Sequence, residues 1–220
     1  MTRFERERTG FATFKSCFLA RPNLQTEVAR AVEALYARYD TAIRENRFVV
    51  GGALEIILGA ALRACGLPVR HRGTETVEWD LLWAEGPGGY SIKSLLKPGT
   101  RSTRLVNVLG REVTPELWQA ATLFVLPEGI VYADPDLPWW RAHRHDPQVL
   151  VPRRDALEVK RRAIREFAAA EPDWFLPWQI SLADSSTDAR RRVRTASYDV
   201  ATSILKDESP GLFRHLPNLI

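Results

Sequence analysis

Cysteine is scarce in this 220-residue chain, which holds only Cys17 and Cys65. Two cysteines are too few for a disulfide framework, and they do not form CxxC pairs, so neither a disulfide-stapled scaffold nor a zinc ribbon is expected. No run of about 18 apolar residues occurs, which argues against a membrane span. The N-terminal MTRFERERTGF alternates charges and has no apolar stretch of the kind a secretory signal carries. The expectation is a cytoplasmic protein with no membrane association. Internal repeats and long low-complexity tracts are also missing. Lysine is sparse: the 31 basic residues include only Lys15, Lys93, Lys97, Lys160 and Lys206, and the rest are arginine. Arginine bias arises from GC-rich coding, and arginine also suits bidentate recognition of phosphate and guanine. The sequence leaves both readings open.

What is present is ordinary for a globular chain. Hydrophobic residues make up 45%, charged residues 26%, and the formal net charge is +4. The length suits a single domain over residues 1–220. Residues 24–45 have helical apolar spacing through Val28, Val32, Leu35, Tyr39 and Ile43. Residues 51–65 are apolar almost all round and predict a buried helix stopped by Gly66 and Pro68. A short strand is expected at 68–72. The stretch TVEWDLLWAE, GPGG, YSIKSLL reads as a β-hairpin. Two strands are expected around Pro127–Gly129, and residues 134–152 read as a long loop. Amphipathic helices are expected at 153–170 and 187–206. Helices, then strands, then helices imply an α/β fold with a central mixed sheet flanked by helices.

With Gly86 to Gly89 as the turn, Leu82 faces Lys93 and Asp80 faces Leu95. Glu78, Asp80, Leu82, Ser91 and Lys93 then share one face of the hairpin. Asp80 and Lys93 become diagonal neighbours within reach of one ligand. The plainer reading is a cross-strand ion pair.

Asp80, a hairpin, then Ser91–Ile92–Lys93 resembles the core of the PD-(D/E)xK nuclease superfamily. The longer string, GYSIKSLL from Gly89 and STRLVN from Ser102 to Asn107, is similar to type II restriction endonucleases of the SIKS variety. The resemblance covers about residues 50–135. It implies a restriction-endonuclease-like sheet, a catalytic core over that range, and a C-terminal part, 136–220, that contributes to DNA recognition. It also implies Mg²⁺ as cofactor, double-stranded DNA as substrate, cleavage at a short specific site by a homodimer, and a cognate methyltransferase in the same system. Asp80 becomes the central metal ligand, with the Ile92 carbonyl beside it. Lys93 orients or deprotonates the attacking water, and Ser91 hydrogen-bonds near the metal. Two departures stand out. Trp79 takes the place of the usual proline, and Ser91 that of the usual acid. A carboxylate must come from elsewhere. Glu55, alone among apolar residues, is the first candidate, against a role in capping a helix that begins after Gly51–Gly52. Glu78 and Glu112 are the other candidates.

Residues suited to DNA contact are Lys97, Arg101, Arg104 and Asn107 after the hairpin, Arg141 beside Trp139 and Trp140, and Arg190, Arg191 and Arg194 on the last basic helix. Each also reads as a solvated surface residue. The paired tryptophans read either as a groove-inserting loop or as core, and a zinc site at His143 and His145 is disfavoured for want of ligand spacing. Two alternatives to a restriction enzyme remain: a modification-dependent or partner-guided defence nuclease, and a non-catalytic DNA-binding protein with a degenerate nuclease fold.

Overall fold

The computed structural model describes residues 3–72, 78–97, 99–108, 110, 112–182, 193–217 and 219. The first helix, α1 (Glu5–Leu19), buries Phe11, Phe14 and Phe18 on one face; the charges interspersed among them hide this stripe in the sequence. Helix α2 (Pro22–Arg38) buries Val28, Val32 and Leu35, as their spacing predicts. It ends earlier than that spacing suggests, because Asp40 takes over the local hydrogen bonds: its carboxylate accepts from the Ala42 amide at 2.7 Å and its carbonyl from the Asn46 side chain at 3.0 Å. Helix α3 (Arg44–Ala64) then runs through Gly51 and Gly52 without a break. The strands that follow are β1 (Val69–His71), β2 (Leu81–Trp83), β3 (Gly89–Ser94), β4 (Ser102–Asn107), β5 (Thr122–Leu126) and β6 (Gly129–Ala133).

The C-terminal part departs from expectation. The supposed loop 134–152 contains a short helix, α4 (Pro138–Ala142), and strand β7 (Leu150–Pro152). The expected helix 153–170 divides into strand β8 (Ala156–Lys160) and helix α5 (Arg161–Ala170). Alternation of buried Leu157 and Val159 with Glu158 and Lys160 fits a strand, and pairing with β4 and β7 outweighs the local helical preference. Strand β9 (Phe175–Pro177) and helices α6 (Ser197–Glu208) and α7 (Pro210–Phe213) complete the chain. Residues 187–192 of the expected basic helix lie outside the described residues.

The strands form a six-stranded sheet, β1-β2-β3-β5-β6-β9, and a three-stranded sheet, β4-β8-β7. Every neighbouring pair in the larger sheet is antiparallel except β3 and β5, which run parallel. Helices cover both faces, so the protein is mixed α/β. The Tyr90 hydroxyl donates to the Glu7 carbonyl of α1, and Tyr36 of α2 meets Ser94 at 2.7 Å. Tyr90 and Ser94 thus mark the face under the N-terminal helices. On the other face Phe124 of β5 packs against Trp140 of α4, which in turn packs against Phe167 of α5. Cys17 and Cys65 are joined as a disulfide between α1 and the end of α3, a pairing that the scarcity of cysteine did not predict. Among the described residues no helix is long and apolar enough to cross a membrane.

The β2–β3 hairpin is offset from its expected register. Leu82 faces Gly89 and Leu81 faces Tyr90, rather than Leu82 facing Lys93. Two features set this register. A Cβ at Gly89 would collide with the Leu81 carbonyl, and its φ of 154° favours glycine. The buried Glu7 carboxylate also pins the turn, one oxygen accepting from Trp83 Nε1 at 2.9 Å and the Gly89 amide at 3.0 Å. The offset is an even number of residues, so strand residues keep their faces. Removing this acceptor strands two buried donors. Glu7→Ala is expected to lower unfolding free energy by about 2–4 kcal/mol, and Glu7→Gln, which keeps an acceptor oxygen, by less than half as much. Urea denaturation of the three proteins checks this, and an unchanged midpoint in Glu7→Ala would show that the turn does not depend on α1.

Candidate active site

Strand β2 pairs with β3 only through Leu81 and Leu82, so β3 outruns its partner. Asp80, immediately before β2, fills the gap. Its amide donates to the Tyr90 carbonyl at 2.9 Å. Its carboxylate oxygen Oδ2 accepts from the Ile92 amide at 2.6 Å and the Ser91 hydroxyl at 3.2 Å. The other oxygen, Oδ1, lies 3.5 Å from the Arg72 guanidinium. Asp80 is 6% exposed, and a charge buried to that degree needs such donors. On its other side β3 uses the amides of Ser91 and Leu95 to pair with Ala121 and Val125. The Ile92 amide therefore points towards Asp80, and its carbonyl points the same way, since both backbone groups of a strand residue share a side.

Glu55 approaches from α3. That helix starts at Arg44, so Glu55 sits well inside it and the capping role is excluded. Its carboxylate lies 3.2 Å from His71 Nε2. Burial pushes the Glu55 carboxyl above its ordinary range, the Asp80 charge adds to the rise, and His71 and Arg72 oppose it. Two carboxylates thus share one electrostatic site. Glu78 and Glu112 are both exposed.

Lys93 follows Ser91 by two on β3 and shares its face by alternation. It is half-buried, opposite Phe124 of β5. The cross-strand Asp80–Lys93 ion pair does not form, because Arg72 pairs with Asp80 instead. No hydrogen bond or ion pair links Lys93 to another described residue.

The structure therefore brings together Asp80, Ser91, Ile92 and Glu55, with Lys93 next along the strand. It adds His71 and Arg72, which the sequence reading missed; their only signal was a basic pair just ahead of the acidic strand. Among the DNA-contact candidates, Lys97 and Arg101 are exposed between β3 and β4. Arg104 is exposed on β4, 3.5 Å from both Asp155 and Asn107. Arg141 donates to the Asp136 carbonyl at 3.1 Å. Arg194 is exposed just before α6, whereas Arg190 and Arg191 lie outside the described residues. The groove-inserting reading of the tryptophans is corrected. Trp140 is 1% exposed and packs edge-on against Trp118, while Trp139 is half-buried and stacks on His143.

Among the described residues no group of three or more His, Cys, Asp and Glu side chains is set to hold a metal ion. The oxygen donors on this side of β3 are the Asp80 carboxylate, the Glu55 carboxylate within its electrostatic reach, and the Ile92 carbonyl. They suit Mg²⁺, a hard cation that keeps several waters and needs few protein ligands, and two neighbouring carboxylates in a partly buried site gain from a divalent cation. No family model matches the chain, and no match is found among characterised proteins or solved structures.

Proposed function

We propose that this chain is a Mg²⁺-dependent endonuclease that hydrolyses phosphodiester bonds of double-stranded DNA at a short site, as type II restriction enzymes do. The observation that carries this reading is the meeting of Asp80 with the Ile92 backbone where β3 outruns β2, with Glu55 within electrostatic reach of Asp80 and with Lys93 two residues past Ser91 on β3, its ammonium paired with no described residue. The sheet supports it: an antiparallel β1-β2-β3 run continued by a parallel β5 suits a restriction-endonuclease-like fold. A twofold DNA site calls for a homodimer, and a restriction enzyme for a cognate methyltransferase and a cytoplasmic location.

In this reading Asp80 and Glu55 hold Mg²⁺ with the Ile92 carbonyl. When bound, the ion acidifies water and compensates charge on the phosphate oxygens. Lys93 orients the attacking water and stabilises negative charge as the phosphorus–oxygen bond breaks. Ser91 donates to Asp80 and fixes the carboxylate's rotamer; it cannot supply the charge of the acid it replaces. Arg72 and His71 hold the two carboxylates in place and oppose their mutual repulsion.

A second reading, a DNA-binding protein that has lost catalysis, is favoured by the same Ser91 and by the cations already beside both carboxylates. Incubation with phage DNA and Mg²⁺ separates the two. Cleavage into discrete fragments, abolished by EDTA, is expected. DNA binding without cleavage of either methylated or unmethylated DNA would support the second reading.

Asp80→Asn keeps an acceptor for Ile92 and removes the charge; it and Lys93→Ala are each expected to slow cleavage by at least about 10²-fold with DNA affinity retained. Near wild-type rates in both variants would sink the assignment. Glu55→Gln is expected to lose most activity at low Mg²⁺, recover partly at high Mg²⁺ or with Mn²⁺, and melt no lower than the parent, since burial already disfavours the Glu55 charge. Full activity of Glu55→Gln at every Mg²⁺ concentration would remove Glu55 from the site.

A further inference from the structure

Helix α3 carries a second feature on the way to Glu55. Phe48 is 74% exposed, in a helix whose other large apolar side chains are largely buried. It precedes Glu55 by seven residues, so both lie on one face, about 10.5 Å apart along the axis at 1.5 Å per residue. Gly51, between them, and Arg44, one turn before Phe48, occupy the same face. Gly51 has no atom within 4 Å of where a Cβ would be. It lines a cleft of about 490 Å³ between α3 and the loop after β3, together with Arg47 and Lys97. Arg44, Arg47 and Lys97 are exposed. Arg47 donates to the Thr41 carbonyl at 2.8 Å, so its guanidinium is held in place yet keeps its charge. None of the three is within ion-pair reach of a described carboxylate; Glu45 stands on the opposite flank of Phe48.

An exposed ring flanked by cations, one of them held in place, above an open glycine surface, complements a nucleic acid: the cations suit its phosphates and the ring can wedge into a base step. We propose that Phe48 inserts as an apolar wedge at a base step of double-stranded DNA, about 10.5 Å along α3 from Glu55 and so away from the phosphate poised at the cation that Asp80 and Glu55 would hold. Arg44, Arg47 and Lys97 engage the backbone on either side. This rests on the nuclease reading for the position of that phosphate. Phe48 is then a positioning residue: it sets which phosphate reaches Lys93.

The test measures binding of a fluorescein-labelled 30-base-pair mixed-sequence duplex in EDTA, where no cleavage intervenes. Phe48→Ala should weaken binding about 10-fold to 100-fold while leaving the slope of log affinity against log salt unchanged, because no cation is lost. Arg47→Ala and Lys97→Ala should each reduce that slope by about one. Phe48→Trp should retain affinity, and its added indole emission should be quenched by the duplex; this variant decides the matter if the alanine protein fails to fold. Wild-type affinity in Phe48→Ala would overturn the proposal. So would a loss of affinity accompanied by a fall from dimer to monomer in sedimentation, since the ring would then belong to a contact between copies. Failure of the intact protein to bind the duplex would overturn this proposal and the nuclease reading together. Normal binding without Mg²⁺-dependent cleavage would overturn the nuclease reading and the phosphate position taken from it, while the Phe48 contact itself would still be judged by the affinities above.

Discussion

The hydrogen bond from the Ile92 amide to the Asp80 carboxylate holds the centre of this structure together. A longer β2 would have offered that amide a backbone carbonyl. Instead the strand pairing stops, and a charged side chain accepts the bond at 2.6 Å. The sheet thereby acquires a carboxylate in its own plane, oriented by main chain rather than by a flexible contact. Everything assigned to the site is arranged around this substitution of side chain for strand: the Ile92 carbonyl faces it, Ser91 donates to it, and Lys93 follows on the same strand.

A short strand pairing is weak by itself, and α1 compensates. Glu7 ties the hairpin turn to the helix. The next residue, Arg8, makes two 2.8 Å hydrogen bonds to Asp134, which is fully buried at the end of β6 and also accepts from the Tyr132 hydroxyl. One helix therefore satisfies buried acceptors or donors at two separated points of the sheet. Such pairs are costly to break because the remaining partner is left without solvent, so α1 fixes the hairpin relative to β5 and β6. The site needs that rigidity, since its residues come from β3, from β1 and β2 on one side of it, and from α3.

The electrostatics of the site form a balance. Asp80 and Glu55 repel one another and burial disfavours the charge on Glu55, while Arg72 and His71 offset part of that cost. In the proposed function a divalent cation would act on the same carboxylates as these two side chains, so metal affinity would depend on how far Arg72 and His71 can yield. This links a structural feature of the fold, the basic pair at the end of β1, to the chemistry proposed for the site.

The sequence by itself determined the α/β class, the buried character of α3, the β2–β3 hairpin and the meeting of Asp80 with Ser91, because hydrophobic periodicity and strand alternation are local properties. Glu55 was legible for the same reason: one carboxylate within an apolar helix is conspicuous. The rest came from contacts distant in sequence. The hairpin register was set by Glu7 in another element, and Ala156–Lys160 became a strand because β4 and β7 were there to pair with it. Trp140 was buried by Trp118 and Phe167, which no local pattern could reveal. The start of α3 at Arg44 depended on Asp40 closing the preceding turn, and that placed Glu55 in mid-helix and Phe48 in solvent. His71 and Arg72 acquired their partners only when β1 was laid beside β2, since ion pairs between separate elements leave no periodic trace in a sequence.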